Sequence, residues 1–230
     1  MRFDVLTIFP EIIESYINTG VIGRAINVKR TLTIKTHNIR DYTKDIHKKV
    51  DDTPFGGGAG MILQIEPIYE ALNNIINQNP GTKKNIILTK AGGDIFNQKK
   101  AIQLGEEFDH IIFICGRYEG IDARVEQYLA NESLSIGQYV LTGGELPALV
   151  MLDAIARHIP EVLGNQESLK QESWTNTEKK EYPQYSRPAI FKPSNHNIIL
   201  NKTPKEWVVP EVLLSGNHQA IQDWREKHRK

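Results

Sequence analysis

Cysteine is nearly absent from this 230-residue chain, and the single Cys115 excludes an internal disulfide and any multi-cysteine zinc site. Cys115 closes the apolar run HIIFIC, so it reads as a small buried hydrophobe and not as a nucleophile. Net charge is missing too: 28 Lys and Arg balance 28 Asp and Glu, so no global field argues for nucleic acid. No apolar run approaches the roughly 18 to 20 residues that cross a bilayer. The opening MRFDVLTIFPEII has neither the basic start nor the small-residue cleavage site of a signal peptide. These absences lead to the expectation of a cytoplasmic protein with no membrane contact. Two phosphate-binding signatures are also missing. The glycine cluster VDDTPFGGGAGM (50–61) is followed by no Gly-Lys-Ser/Thr, and a polar loop precedes it instead of a hydrophobic strand. That removes the P-loop and, with it, the dinucleotide fingerprint that glycine content alone would suggest.

What remains is an ordinary globular composition, 40% hydrophobic and 24% charged, in a chain long enough for one sizeable core and a smaller appendage. Short β-rich runs alternate with helical patterns, which predicts an α/β fold on a largely parallel sheet. Strands are expected at 3–9, 31–38, 85–89 and 110–115, and in the segment running up to Leu141. Helices are expected at 10–18, 65–78, 98–104, 122–129 and 146–158, the last with Pro147 in its first turn and Pro160 as its stop. Beyond Pro160 the texture turns polar, in GNQESLKQESWTNTEKKEYPQYSRP, and predicts a long connection. The final stretch has Asn217 as an expected N-cap, with Ile221, Trp224 and Arg225 at helical spacing.

Three segments, LTKAGG (88–93), ICGRYEGID (114–122) and SIGQYVLTGGELPALVMLDAIARHIP (135–160), each carry a hydrophobic run that ends in glycine and polar residues. Loops of this kind at the carboxyl ends of adjacent parallel strands form the usual ligand edge of an open α/β sheet. Backbone groups freed by glycine suit a flat, hydrogen-bonding ligand such as adenine with its ribose, and no basic triad is present for a polyphosphate. Within the third segment, Gly143-Gly144 calls either for positive φ or for close approach to the backbone. Positive residues gather locally at Arg24, Lys29, Arg30, Lys35, Arg40, Lys44, Lys48 and Lys49, with His37 and His47, and again in WREKHRK. On charge alone these read as a solvated face and a basic helix end.

Five segments carry a resemblance when taken together: NIRDYTKDIHKKVDDTPFGGGAGM, ICGRYEGIDARV, SIGQYVLTGGELPALVMLDAIARHIPEVLGN, EYPQYSRP and VPEVLLSGNH. In this order, from Phe3 to about Arg225, the chain resembles the bacterial tRNA (guanine-N1)-methyltransferases, the TrmD family. The resemblance implies a SPOUT-type α/β fold whose parallel sheet carries a deep trefoil knot, an exception to the rule that chains avoid threading. It implies a knotted S-adenosylmethionine-binding methyltransferase domain over 1–160, a flexible linker over 161–172 and a small, mainly helical, tRNA-binding C-terminal domain over 173–230. It further implies a homodimer with active sites at the subunit interface, S-adenosylmethionine as methyl donor, and methylation of N1 of guanosine 37 of tRNA when guanosine 36 precedes it. A knotted RNA methyltransferase with another target nucleotide and a silent RNA-binding protein that retains the pocket are the rival readings.

Guanine N1 carries a proton at neutral pH, so a base has to remove it, and charge then spreads onto O6 where a cation helps most in the transition state. By motif, the family's general base falls at Glu172 of QESW and its essential arginine at Arg157 of DAIAR, four residues after Asp153 on the same expected helix face. The family pattern has Asp where Glu172 stands, and the extra methylene moves the oxygen by about a bond length. The resemblance assigns cofactor contacts to Leu88, Gly116, Tyr118, Glu119, Ser135, Ile136, Gly137, Tyr139, Leu141, Thr142, Gly143, Gly144 and Pro147. Gly58 and Gly60 join Arg157 and Glu172 at the substrate, with Ala59 in place of the usual proline. Thr89-Lys90-Ala91-Gly92 replaces the usual Ser-Pro-Gln-Gly, and Gln138 replaces an Asp. The family's magnesium dependence makes Glu119 a candidate participant, although spacing supports no metal site. The basic residues become phosphate contacts that position RNA without reading its sequence.

Overall fold

The computed structural model describes residues 1–164, 174, 181–193 and 206–229. They belong to two compact units, Met1–Gln166 and Glu167–Lys230.

In chain order the first unit contains β1 (Arg2–Thr7), α1 (Pro10–Ile17), α2 (Gly20–Arg24), β2 (Thr33–Asn38), β3 (Asp51–Asp52), β4 (Ile62–Leu63), α3 (Ile65–Gln78) and β5 (Lys84–Ile95). It continues with α4 (Gln98–Glu107), β6 (His110–Cys115), α5 (Ala123–Tyr128), β7 (Glu132–Ser135) and α6 (Glu145–Ala156). Five strands form one sheet in the order β2-β1-β6-β5-β7, and every pairing in it is parallel. A parallel sheet covered on both faces needs apolar residues at every position of its central strands. Residues 111–115 of β6 meet that need, and all six residues of the strand, His110 included, are buried.

The pleat divides the core in two. Phe3, Val5, Ile111, Phe113 and Cys115 face one side and pack with Ile13, Met151, Leu152 and Ile155 from α1 and α6. Leu6, Ile112, Ile114 and Leu88 face the other and pack with Ile68, Leu72, Ile75 and Val125 from α3 and α5. The layers are therefore helix, sheet and helix, and Cys115 is fully buried.

Two expectations about strand ends are corrected. The strand expected up to Leu141 stops at Ser135. There the Ser135 hydroxyl donates to the Gly137 carbonyl at 2.8 Å and accepts from the Gly137 amide at 3.3 Å, turning the chain out of the ladder. LTKAGG, in turn, does not end its strand. Thr89 and Asp94 of β5 both pair with Leu134, so residues 90–93 form an excursion inside a strand that resumes beyond them.

Among the described residues, the second unit has β8 (Ile190–Phe191) antiparallel to β9 (Trp207–Val208), followed by α7 (Glu211–Leu214) and α8 (His218–Lys227). Asn217 caps α8, its side-chain oxygen accepting from the Ala220 amide at 3.1 Å. The Trp224 ring meets Tyr185 edge-on and stacks on His228. The expected linker lies outside the described residues from 165 onward. No helix among the described residues is long and apolar enough to cross a membrane.

Candidate functional site

A cleft of about 420 Å³ opens at the carboxyl ends of β6 and β7, beside the 90–93 excursion of β5. Small-molecule sites commonly occupy roughly 300 to 1,000 Å³. The 90–93 excursion, the 116–122 loop and the 136–144 loop all contribute to its wall. Every cofactor position expected from the sequence lines it except Gly137, which lies beneath the Tyr139 ring. Residues without such an expectation line it as well, among them Arg117, Asp122, Glu126 and Leu134.

The walls are tightly made. The Gly144 amide donates to the Gly116 carbonyl at 2.8 Å, and the Thr89 hydroxyl donates to the Ile114 carbonyl at 3.1 Å, stitching the 136–144 loop and β5 to the end of β6. Tyr118 adopts a left-handed backbone (φ 61°), uncommon for an aromatic residue, and its hydroxyl accepts from Arg40 Nη2 at 3.3 Å. Glu119 and Gly120 are held by β4 and the residue before it: the Glu119 amide donates to Met61 O at 3.0 Å, and Leu63 N donates to Gly120 O at 3.0 Å.

The charges in the cleft identify the ligand chemistry it suits. Lys90 pairs with Glu126 at 2.6 Å, and Arg117 pairs with Glu145 at 2.9 Å, so both lining cations are committed to the protein. Glu126 also accepts from the Ser133 hydroxyl at 2.8 Å; the Lys90 bond, followed by that of Ser133, holds its carboxyl below the ordinary value. Asp122 is likewise lowered, chiefly by the side chain of Arg124. Glu119, by contrast, has no side-chain hydrogen bond within the described residues, and it rests against Gly60. With glycine backbone, the apolar Leu88, Ile121, Leu141 and Pro147, and one uncommitted carboxylate, the cleft suits a nucleoside with a cationic tail, not a polyphosphate. S-adenosylmethionine, an adenosine joined to a sulfonium and an amino acid, has that chemistry. Among the described residues no group of three or more His, Cys, Asp or Glu could hold a metal ion.

The expected substrate residues are distributed differently. Gly56, Gly57, Gly58 and Gly60 all have φ between 79° and 131°, so this exposed loop requires glycine for its backbone. Gly60 borders the cleft through Glu119, and Gly58 lies against Pro54. Arg157 caps the carboxyl end of α6 and does not line the cleft, which adjoins the amino end of that helix. Twelve helical residues at about 1.5 Å each separate the two by roughly 18 Å. The pKa of the Tyr16 hydroxyl is raised first by burial and then by the nearby charge of Asp153. Glu172 lies outside the described residues.

Among the basic residues, His37 is removed from the set of phosphate contacts. Its Nε2 donates to Asp4 Oδ1 at 2.6 Å and its Nδ1 accepts from Tyr42 at 3.0 Å, inside the fold. Lys48 pairs with Asp41 at 3.0 Å, and Lys29 donates to the Glu161 carbonyl. In α8, the Arg225 guanidinium lies 5.0 Å from the Tyr182 ring centroid.

Comparison with known proteins gives one consistent answer. The family described as tRNA (Guanine-1)-methyltransferase TrmD matches residues 1–230. The tRNA (guanine-N(1)-)-methyltransferase of Clostridioides difficile (strain 630) is 44% identical over 225 residues, covering 98% of this chain and 90% of the relative. That of Moorella thermoacetica is 45% identical over 225 residues, covering 98% and 84%. That of Finegoldia magna is 43% identical over 229 residues, covering 100% and 90%.

Proposed function

Because the chain belongs to the tRNA (guanine-1)-methyltransferase TrmD family, we propose that it transfers a methyl group from S-adenosylmethionine to N1 of guanosine 37 in tRNAs carrying guanosine 36. Membership makes it a tRNA (guanine-N1)-methyltransferase with a SPOUT-class fold. The finer reading is supported by one observation above others: the cleft at the carboxyl edge is lined by all but one of the residues that the family motifs nominate for the methyl donor. The deep trefoil knot belongs to the same reading, centred on the 136–144 loop that bonds to Gly116.

S-adenosylmethionine, when bound, supplies a methyl group already activated on a positively charged sulfur. The cleft would hold its adenosine half against the Leu141–Gly144 backbone and place Glu119 near its cationic portion. The remaining task belongs to the chain: Glu172 accepts the N1 proton, and Arg157 stabilises the charge that develops on O6. The distance between the cleft and Arg157 within one chain favours a homodimer in which the arginine serves the partner's cleft. Exposed apolar side chains support such a partner. Leu146 and Val150, one turn apart on α6, are 54% and 43% exposed, and the nearby Val140 is 84% exposed. The exposed glycine loop would then wall the guanine, and the C-terminal unit would bind tRNA.

Variants test the two catalytic roles. Arg157→Ala is expected to lower single-turnover methyl transfer by roughly 10²- to 10³-fold without weakening cofactor binding. Glu172→Gln should lose about 10²-fold or more while Glu172→Asp retains activity. Full rate for Glu172→Gln across the pH range would assign the base elsewhere.

A further inference from the structure

Arg117 stands between Gly116 and Tyr118 in a loop that faces the cleft, where an arginine invites assignment to RNA or to the charge on guanine. Its guanidinium is committed elsewhere. Nε donates to both oxygens of Glu145, at 2.9 and 3.1 Å, and Nη1 donates to the Thr142 carbonyl at 3.2 Å. The group also lies over the Phe9 ring, 4.6 Å from its centroid. Glu145 is 1% exposed and accepts a further bond from the Thr7 hydroxyl at 2.6 Å. One buried carboxylate thus ties together the end of β1, the 116–122 loop and the first residue of α6. The same guanidinium fills the space beside Gly143. A Cβ there would lie 2.5 Å from Arg117 Cζ and 2.6 Å from Glu145 Oε2.

We propose that Arg117, Glu145 and Thr7 form a lock that sets the Thr142–Gly144 wall of the methyl-donor cleft, with Arg117 as a positioning residue for the cofactor and not a contact to tRNA. The proposal rests on the cleft being the S-adenosylmethionine site. A carboxylate as buried as Glu145 requires a charged or hydrogen-bonding partner, and Arg117 supplies both. The choice of arginine follows from the second bond. Its planar fork reaches the carboxylate and the Thr142 carbonyl together, whereas a lysine ammonium acts as a point charge. Gly143 is then glycine because the lock occupies the place of a side chain.

The test compares wild type, Arg117→Lys, Arg117→Ala and the double variant Arg117→Ala with Glu145→Gln. S-adenosylmethionine affinity is measured by calorimetry, tRNA affinity against salt concentration, and melting temperature alongside. Arg117→Ala should melt lower because Glu145 is left buried without a counter-charge, and the added Glu145→Gln should restore much of that loss. Cofactor affinity should nevertheless stay about tenfold or more below wild type in both, because the Thr142 carbonyl is unclamped. Arg117→Lys should fall between, and tRNA affinity with its salt dependence should not change. Wild-type cofactor affinity in the double variant would reduce Arg117 to a counter-ion for Glu145. Weakened tRNA binding with a shallower salt slope and intact cofactor affinity would make it a phosphate contact. Either result overturns the lock. Failure of the wild type to bind S-adenosylmethionine would instead remove the reading on which the lock rests.

Discussion

Gly144 occupies an ordinary right-handed conformation (φ −84°, ψ −7°), so glycine is required there for its missing side chain and not for its dihedral freedom. A Cβ at that position would come within 2.7 Å of the Gly116 amide and 2.8 Å of the Cys115 Cα, and backbone of this kind cannot step aside. Gly144→Ala is expected to lose about 1–3 kcal/mol of stability, seen as a lower melting temperature, together with weaker S-adenosylmethionine binding. Gly164→Ala, whose added methyl meets nothing within 4 Å, is the control that should change neither. The sequence marked the glycine pair and left two reasons open, and the packing selects close approach. It also marked the lining of the cleft through contiguous motifs. Arg117, Glu145 and Thr7 escaped notice because their bonds join residues 28 and 138 positions apart, and no local pattern announces such a pair. Arg157 was placed by motif alone, and motif alone does not say which chain's cleft it serves.

Elements with strong periodicity were legible to the residue: β6 at His110–Cys115 and α3 at Ile65–Gln78 stand where the apolar pattern puts them. The ends of β5 and β7 were not, because a side-chain turn at Ser135 and an excursion at 90–93 depend on contacts that hydrophobic pattern does not encode. A polar feature inside β1 was equally hidden. Asp4 is fully buried and accepts from His110 Nε2 and His37 Nε2, each at 2.6 Å, and from Arg2. Burial alone would raise its pKa, but the bonds from His110, His37 and Arg2 together outweigh burial and hold the carboxyl well below the usual range. With the folded pKa depressed, the stabilisation is fully present above the ordinary carboxylate pKa of about 4 and is lost as pH falls below it toward the folded value. Asp4→Asn is expected to cost about 3 kcal/mol or more at neutral pH and to flatten the acid limb of the stability curve, measured by urea unfolding from neutral pH down to about pH 2. An unchanged acid limb would place the acid sensitivity of the fold in other carboxylates.

At the scale of the whole molecule, the cleft and Arg157 stand at opposite ends of α6, and the proposed homodimer, with each active site assembled from two subunits, would make that arrangement productive. Complementation follows from it. Arg157→Ala and a cofactor-binding variant such as Gly144→Val, each inactive alone, should regain activity after unfolding and refolding together. Random pairing leaves one intact site in each mixed dimer, about a quarter of the wild-type total. Mixtures that stay inactive would place cleft and arginine in the same subunit's site. The division of the chain into two compact units could be glimpsed in the polar texture after Pro160, whereas dimer and knot rested on the resemblance, because one chain's sequence pattern records neither a partner nor a threading. The central claim is the reaction itself, and methyl transfer to two tRNAs differing only at position 36 tests it most directly. With guanosine at 36, the product should be 1-methylguanosine at position 37, formed from S-adenosylmethionine, and with adenosine at 36 transfer should fall sharply. Methylation at another nucleotide, or no transfer to either tRNA, would contradict the account.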